Sequence, residues 1–102
     1  MSDNENDFFA LPAFKPDEAL LRLKRDLRDL RQLAERDGGR SFTLKGQAVL
    51  ELAVDGAQLN AKLAKRPAQR PEWDSWTCKS SADMRRLQDE IKKRLVRWTT
   101  ED

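Results

Sequence analysis

The sequence predicts an α+β domain of two layers. An antiparallel sheet of three to four strands (about 41–45, 48–54, 57–65 and 73–79) carries an N-terminal helix (about 17–37) and a C-terminal helix (about 81–98) on one face. Three observations predict it. Two segments place leucines at helical spacing on one side only, two segments alternate apolar and polar residues around Asp55-Gly56, and the helical segments bracket the alternating ones. One-sided elements must bury their apolar faces against each other, and two helices on one sheet do so economically.

The first 13 residues form an acidic lead with Asp3, Glu5 and Asp7, ending in the apolar cluster Phe8, Phe9 and Leu11. Its first seven residues are expected to fray, whereas Phe8, Phe9 and Phe14 are expected to dock on the core. Residues 14–99 are read as one domain. Lys15-Pro16-Asp17-Glu18 starts a helix, because proline suits the first turn and the two acids complement the positive end of the helix dipole. Leu20, Leu23, Leu27, Leu30 and Ala34 follow as one stripe, widened by Leu21 and Leu33. Gly38-Gly39 is read as its C-terminal stop.

Arg40-Ser41-Phe42-Thr43-Leu44-Lys45 forms a short strand, with Gly46 as a turn or bulge. Asp55-Gly56 between alternating runs signals a hairpin with a type I′ turn. A turn at Asp55-Gly56 sets Val54 opposite Ala57, Leu52 opposite Leu59, Leu50 opposite Ala61 and Ala48 opposite Leu63. All four pairs fall on the apolar face, leaving Val49 and Lys62 on the other. The competing helix through 47–65 would carry Gly56 at a cost of about 1 kcal/mol relative to alanine. Pro67 and Pro71 confine 66–71 to a loop. Trp76 and Cys78 then alternate inward, and Trp73, Ser75 and Thr77 outward. Ser80 caps the last helix with Asp83 three residues on, and Met84, Leu87, Ile91, Leu95 and Trp98 form its stripe.

Charged residues reach 37 %, hydrophobic residues 38 %, and the net charge is only +2, so the balance speaks for solubility more than for any partner. No apolar run is long enough for a membrane span, and no export signal opens the chain. One cysteine and no histidine leave no internal disulfide and none of the usual zinc ligand sets. Missing histidine also removes the commonest general base near neutral pH. The four glycines have turn or cap roles, and Cys78 reads as a core residue. No catalysis, cofactor or metal is therefore expected, and the location is expected to be cytoplasmic.

The stretch 62–76 interleaves cations with two indoles. Lys62, Lys65, Arg66 and Arg70 suit phosphates, and Trp73 suits an unpaired base. The bland alternative is that lysine and proline guard a sheet edge there. In element order, helix, three strands and helix resembles double-stranded-RNA-binding domains. Their Lys-Lys-x-Ala-Lys cluster is replaced here by Ser80-Ser81-Ala82-Asp83-Met84. Four strands and a helix over 41–98 resembles the single-strand-binding transcriptional coactivator fold, through that order and the basic segment with tryptophan. The function expected is a non-catalytic interaction domain that binds a protein or a second copy of itself, with single-stranded nucleic acid as the alternative ligand. Its motive is the first helix, whose leucine seam can pack on its own sheet or on a second copy.

Overall fold

The computed structural model describes residues 14–100, and between two helices the chain runs as a meander in which each strand pairs antiparallel with the next. The order is α1 (Pro16–Arg28), β1 (Leu33–Arg36), a 3-10 turn (Asp37–Gly39), β2 (Ser41–Leu44), β3 (Gln47–Asp55), β4 (Gln58–Ala64), β5 (Trp73–Cys78) and α2 (Ser81–Thr100). The α+β class holds, with five strands where three to four were expected. This order departs from both resembled folds. The acidic lead, with Phe8, Phe9 and Leu11, lies outside the described residues, while Phe14 packs on the core.

The first helix is shorter than its leucine spacing predicts. It ends at Arg28, and Leu33–Arg36 leaves it to pair with β2, from Leu33↔Leu44 to Arg36↔Ser41. Leu30 and Leu33 still reach the core, but from a turn and a strand, and Ala34 is exposed. The physical reason lies outside the segment. Without β1 the ladder of β2 would be open along its outer side, and strand pairing satisfies those backbone groups. Gly38-Gly39, read as a helix stop, forms the hairpin turn together with Asp37, the three having φ of 55°, 67° and 92° from Asp37 onward. α1 grips this hairpin: Lys24 Nζ donates to Gly38 O at 2.9 Å, and Arg28 donates to both Glu35 oxygens at 2.8 and 3.1 Å.

Lys45 and Gly46 both have positive φ, a type I′ connection between β2 and β3. Phe42 pairs with Leu50 but Thr43 with Ala48, so Val49 is the extra residue of a β-bulge. Val49 and Leu50 are consequently both buried, and Ala48 is only half-buried. This corrects the alternation that sent Val49 outward. The β3–β4 pairing also differs by two residues: Val54 pairs with Leu59, Leu52 with Ala61 and Leu50 with Leu63. The turn is Gly56-Ala57 with positive φ at Gly56 only, the type II′ pattern. A two-residue shift keeps every side chain on its expected face, so the apolar segregation survives.

Leu59↔Cys78, Ala61↔Trp76 and Leu63↔Asp74 place Cys78, Trp76 and Asp74 beneath the helices. α2 starts with Ser80 Oγ accepting from Asp83 N–H at 3.1 Å, while Asp83 Oδ2 accepts from Lys79 N–H at 2.9 Å. The acid thus reaches one residue further back than in the usual capping box. Leu87, Ile91, Leu95 and Trp98 join Leu23 and Leu27 of α1 over the sheet in one core. Gln88 Nε2 donates to Asp26 Oδ2 at 2.9 Å, joining the helices.

Two glycines with positive φ should respond differently to alanine. At Gly56 a Cβ meets nothing within 4 Å, so Gly56→Ala should cost about 1 kcal/mol from backbone strain alone. At Gly39 it would lie 2.5 Å from Lys24 Cε and 2.6 Å from Glu35 Oε2, so those flexible ends must swing aside and weaken their bonds to Gly38 O and Arg28, and Gly39→Ala should cost about 1–3 kcal/mol. Urea denaturation of both variants checks the order. A stability gain for Gly56→Ala would contradict the hairpin.

Candidate functional site

With both helices on one side, the other face of the sheet is left uncovered by helix, and small or polar residues such as Ser41, Ala53, Asn60, Ser75 and Thr77 lie on it. A shallow groove of about 580 Å³ crosses it, lined by Asp37, Arg40, Ser41, Glu51, Asn60 and Lys62 among others. Two cations meet two carboxylates there, so the groove has no net sign. Gln58 Nε2 donates to Asn60 Oδ1 at 3.0 Å along its floor strand.

The cationic residues singled out from the sequence gather near one end of β4. Lys62 stands on the uncovered face with Glu51 and Ser75 as its strand partners, and it makes no ion pair among the described residues. Arg66 and Arg70 are exposed in the loop 65–72, also without a partner among the described residues. That loop is pinned at its base, where Lys65 N–H donates to Glu72 O at 2.9 Å. Trp73 follows immediately, half-buried against the core and paired with Ala64. Lys65 goes elsewhere. Strand alternation turns it to the helix side, where its Nζ lies 3.9 Å from Asp74 Oδ1.

The sequence reading missed what holds this corner. Arg94, whose side chain is only 12 % exposed, donates through Nε to Glu90 Oε2 and through Nη2 to Asp74 Oδ2, both at 2.7 Å. Its Nη1 donates to Ala64 O at 3.0 Å and more weakly to Leu63 O at 3.4 Å. Trp98 Nε1 adds a 3.4 Å contact to Lys65 O. The β3–β4 ladder stops at Leu50↔Leu63, so these donors from α2 serve carbonyls at the ladder's end. Burial disfavours the charge on Arg94, but its hydrogen bonds to the Glu90 and Asp74 carboxylates outweigh that and raise its pKa. The available signal was the parity of Asp74 with Trp76 and Cys78, which put a carboxylate under the helix in need of a cation.

Cys78 is fully buried, and that burial, aided by the Asp83 carboxylate, pushes its thiol up to about 11. It is therefore a poor nucleophile at neutral pH. Among the described residues no group of three or more His, Cys, Asp or Glu side chains is placed to hold a metal ion. The α1 seam offered for self-association is used within the chain, since Leu23 and Leu27 are buried in its own core. Comparison with protein-family models, with curated proteins and with solved structures finds no match.

Arg94→Met should cost about 1–3 kcal/mol, because it takes their donor from the partly exposed Asp74 and from two strand-end carbonyls. Asp74→Asn added to Arg94→Met should cost less than Asp74→Asn alone, and urea melts in a double-mutant cycle measure the difference. Cys78 should resist a disulfide-exchange reagent at pH 8 until the chain unfolds. Its folded thiol titrates near 11 and an unfolded one near the ordinary 9.0. The thiol's contribution to stability is thus constant below about pH 9 and is lost as pH rises through about 11.

Proposed function

We propose that the chain is a non-catalytic interaction domain, and that the ligand suiting it best is single-stranded nucleic acid bound at the corner of Lys62, Arg66, Arg70 and Trp73. One observation carries this reading: Arg66 and Arg70 stand exposed and unpaired, among the described residues, in a loop whose base is tied to the fold. Cations already free of protein carboxylates can neutralise phosphates without first breaking an ion pair. A tethered loop loses less conformational freedom on binding than a free one. Trp73, half-buried beside it, supplies an aromatic face for a base. Lys62 has Glu51 opposite it, which makes it the weaker contributor.

A second copy of the chain is the other partner this reading admits. It rests on β5, whose outer side has no neighbouring strand in the sheet. Asp74, held inward at that edge, argues against strand addition, because an inward charge at an edge discourages pairing. Among the described residues no helix is long and apolar enough to cross a membrane. A single buried thiol fits the reducing cytoplasm, the location that belongs with this reading.

Titration with a single-stranded oligonucleotide should quench tryptophan fluorescence, and affinity should fall steeply between about 50 and 200 mM salt. Arg66→Ala with Arg70→Ala should weaken binding at unchanged stability. Absence of binding at about 50 mM salt would overturn the nucleic-acid reading. Sedimentation at several concentrations tests the second copy independently.

A further inference from the structure

We infer that the bound strand continues past the loop onto the flank of α2, where Lys93 and Arg97 form a second row of phosphate contacts. This rests on the nucleic-acid reading above and extends it from a patch to a path. The orientation of α2 follows from contacts on two of its sides. Gln88 reaches Asp26 of α1, and Arg94 reaches Asp74 of the edge strand β5. At about 3.6 residues per turn, Leu87, Ile91, Leu95 and Trp98 lie to one side of Arg94, and Lys93 and Arg97 to the other. Lys93 and Arg97 therefore face away from α1, along the outer edge of the sheet. Four residues apart, they stand one above the other.

The same end of α2 meets the base of the basic loop. Arg94 donates to Ala64 O and Trp98 to Lys65 O, and Arg97 sits between them in the helix. Lys93 and Arg97 are exposed, and neither makes an ion pair among the described residues. Two carboxylates beside this flank are already engaged: Glu90 and Asp74 bind Arg94, and Asp74 also faces Lys65. Four cations without an ion pair among the described residues, Arg66, Arg70, Lys93 and Arg97, thus stand here against two exposed acids, Glu72 and, one helical turn before Lys93, Asp89. Glu101 and Asp102 follow in the sequence and lie outside the described residues.

Cations spread over a loop and a helix flank suit an extended polyanion, because a mononucleotide or inorganic phosphate cannot touch both rows at once. The test uses the full chain, oligothymidylates of about four and about twelve nucleotides, and two variants, Arg66→Ala/Arg70→Ala and Lys93→Ala/Arg97→Ala. All four side chains are exposed, and equal thermal midpoints confirm that folding is intact. The helix variant should bind the short strand like the parent and the long strand more weakly. Its slope of log affinity against log salt for the long strand should be shallower by about 1.4, two contacts at about 0.7 each. If the helix variant matches the parent at both lengths while the loop variant weakens both, the strand stops at the loop and this inference alone falls. If the parent binds neither length, the underlying reading falls with it. Competition by polyglutamate as strong as by an oligonucleotide of equal charge would also overturn it, making the corner a site for acidic protein.

Discussion

One guanidinium sets how the last third of the chain is put together. Arg94 reaches from α2 to Asp74 on β5, to Glu90 within its own helix and to the carbonyls of Ala64 and Leu63 at the end of β4. Asp74 sits under the helix because it alternates with Trp76 and Cys78, so strand geometry carries a carboxylate into the covered layer. There it must be matched by a cation. The match has a directional effect that apolar packing lacks. Leucines let α2 slide or rotate over the sheet at modest cost, whereas a fork of hydrogen bonds admits one placement.

That placement organises the surface. By engaging Glu90 and Asp74, Arg94 removes from this corner two of the acids that would otherwise offset its cations. It also anchors the carbonyls from which the loop 65–72 departs, so Arg66 and Arg70 project from a fixed base. Lys65, still exposed, lies near the same carboxylate at 3.9 Å. The part-buried ionic cluster and the exposed cationic one are two sides of one arrangement, the first paired within itself and the second without ion pairs among the described residues.

Much of the fold was legible in the sequence, and its failures have physical causes. The covered face of β3 and β4 follows from alternation, but alternation repeats every two residues and cannot see a shift of two. Only the turn distinguishes Asp55-Gly56 from Gly56-Ala57. The bulge at Val49 has no local mark and appears only once β2 and β3 are paired. α1 overran because Leu27, Leu30 and Ala34 keep helical spacing, and Asp37-Gly38-Gly39 serves a helix stop or a hairpin equally well; the open side of β2 decided between them. In the candidate site, exposure of Lys62, Arg66 and Arg70 was legible from their surroundings. Lys65 stands on the other face from Lys62 because a three-residue step along a strand changes face. Alternation puts Asp74 on the covered face with Trp76 and Cys78, but nothing in the sequence says which cation, 20 residues on, meets it.

The meander has a consequence for how the chain becomes structured as it is synthesised. Each strand pairs with the one just before it, so every hairpin can close as soon as its second half leaves the ribosome. α1 is already present to shelter part of the growing sheet. The half of the sheet beyond it is different: Cys78, Trp76 and Asp74 wait uncovered until α2, the last element, has emerged whole. During that interval the carboxylate of Asp74 is hydrated and keeps the newest edge from joining to another nascent chain. When Arg94 arrives, the same carboxylate becomes the latch that closes the domain.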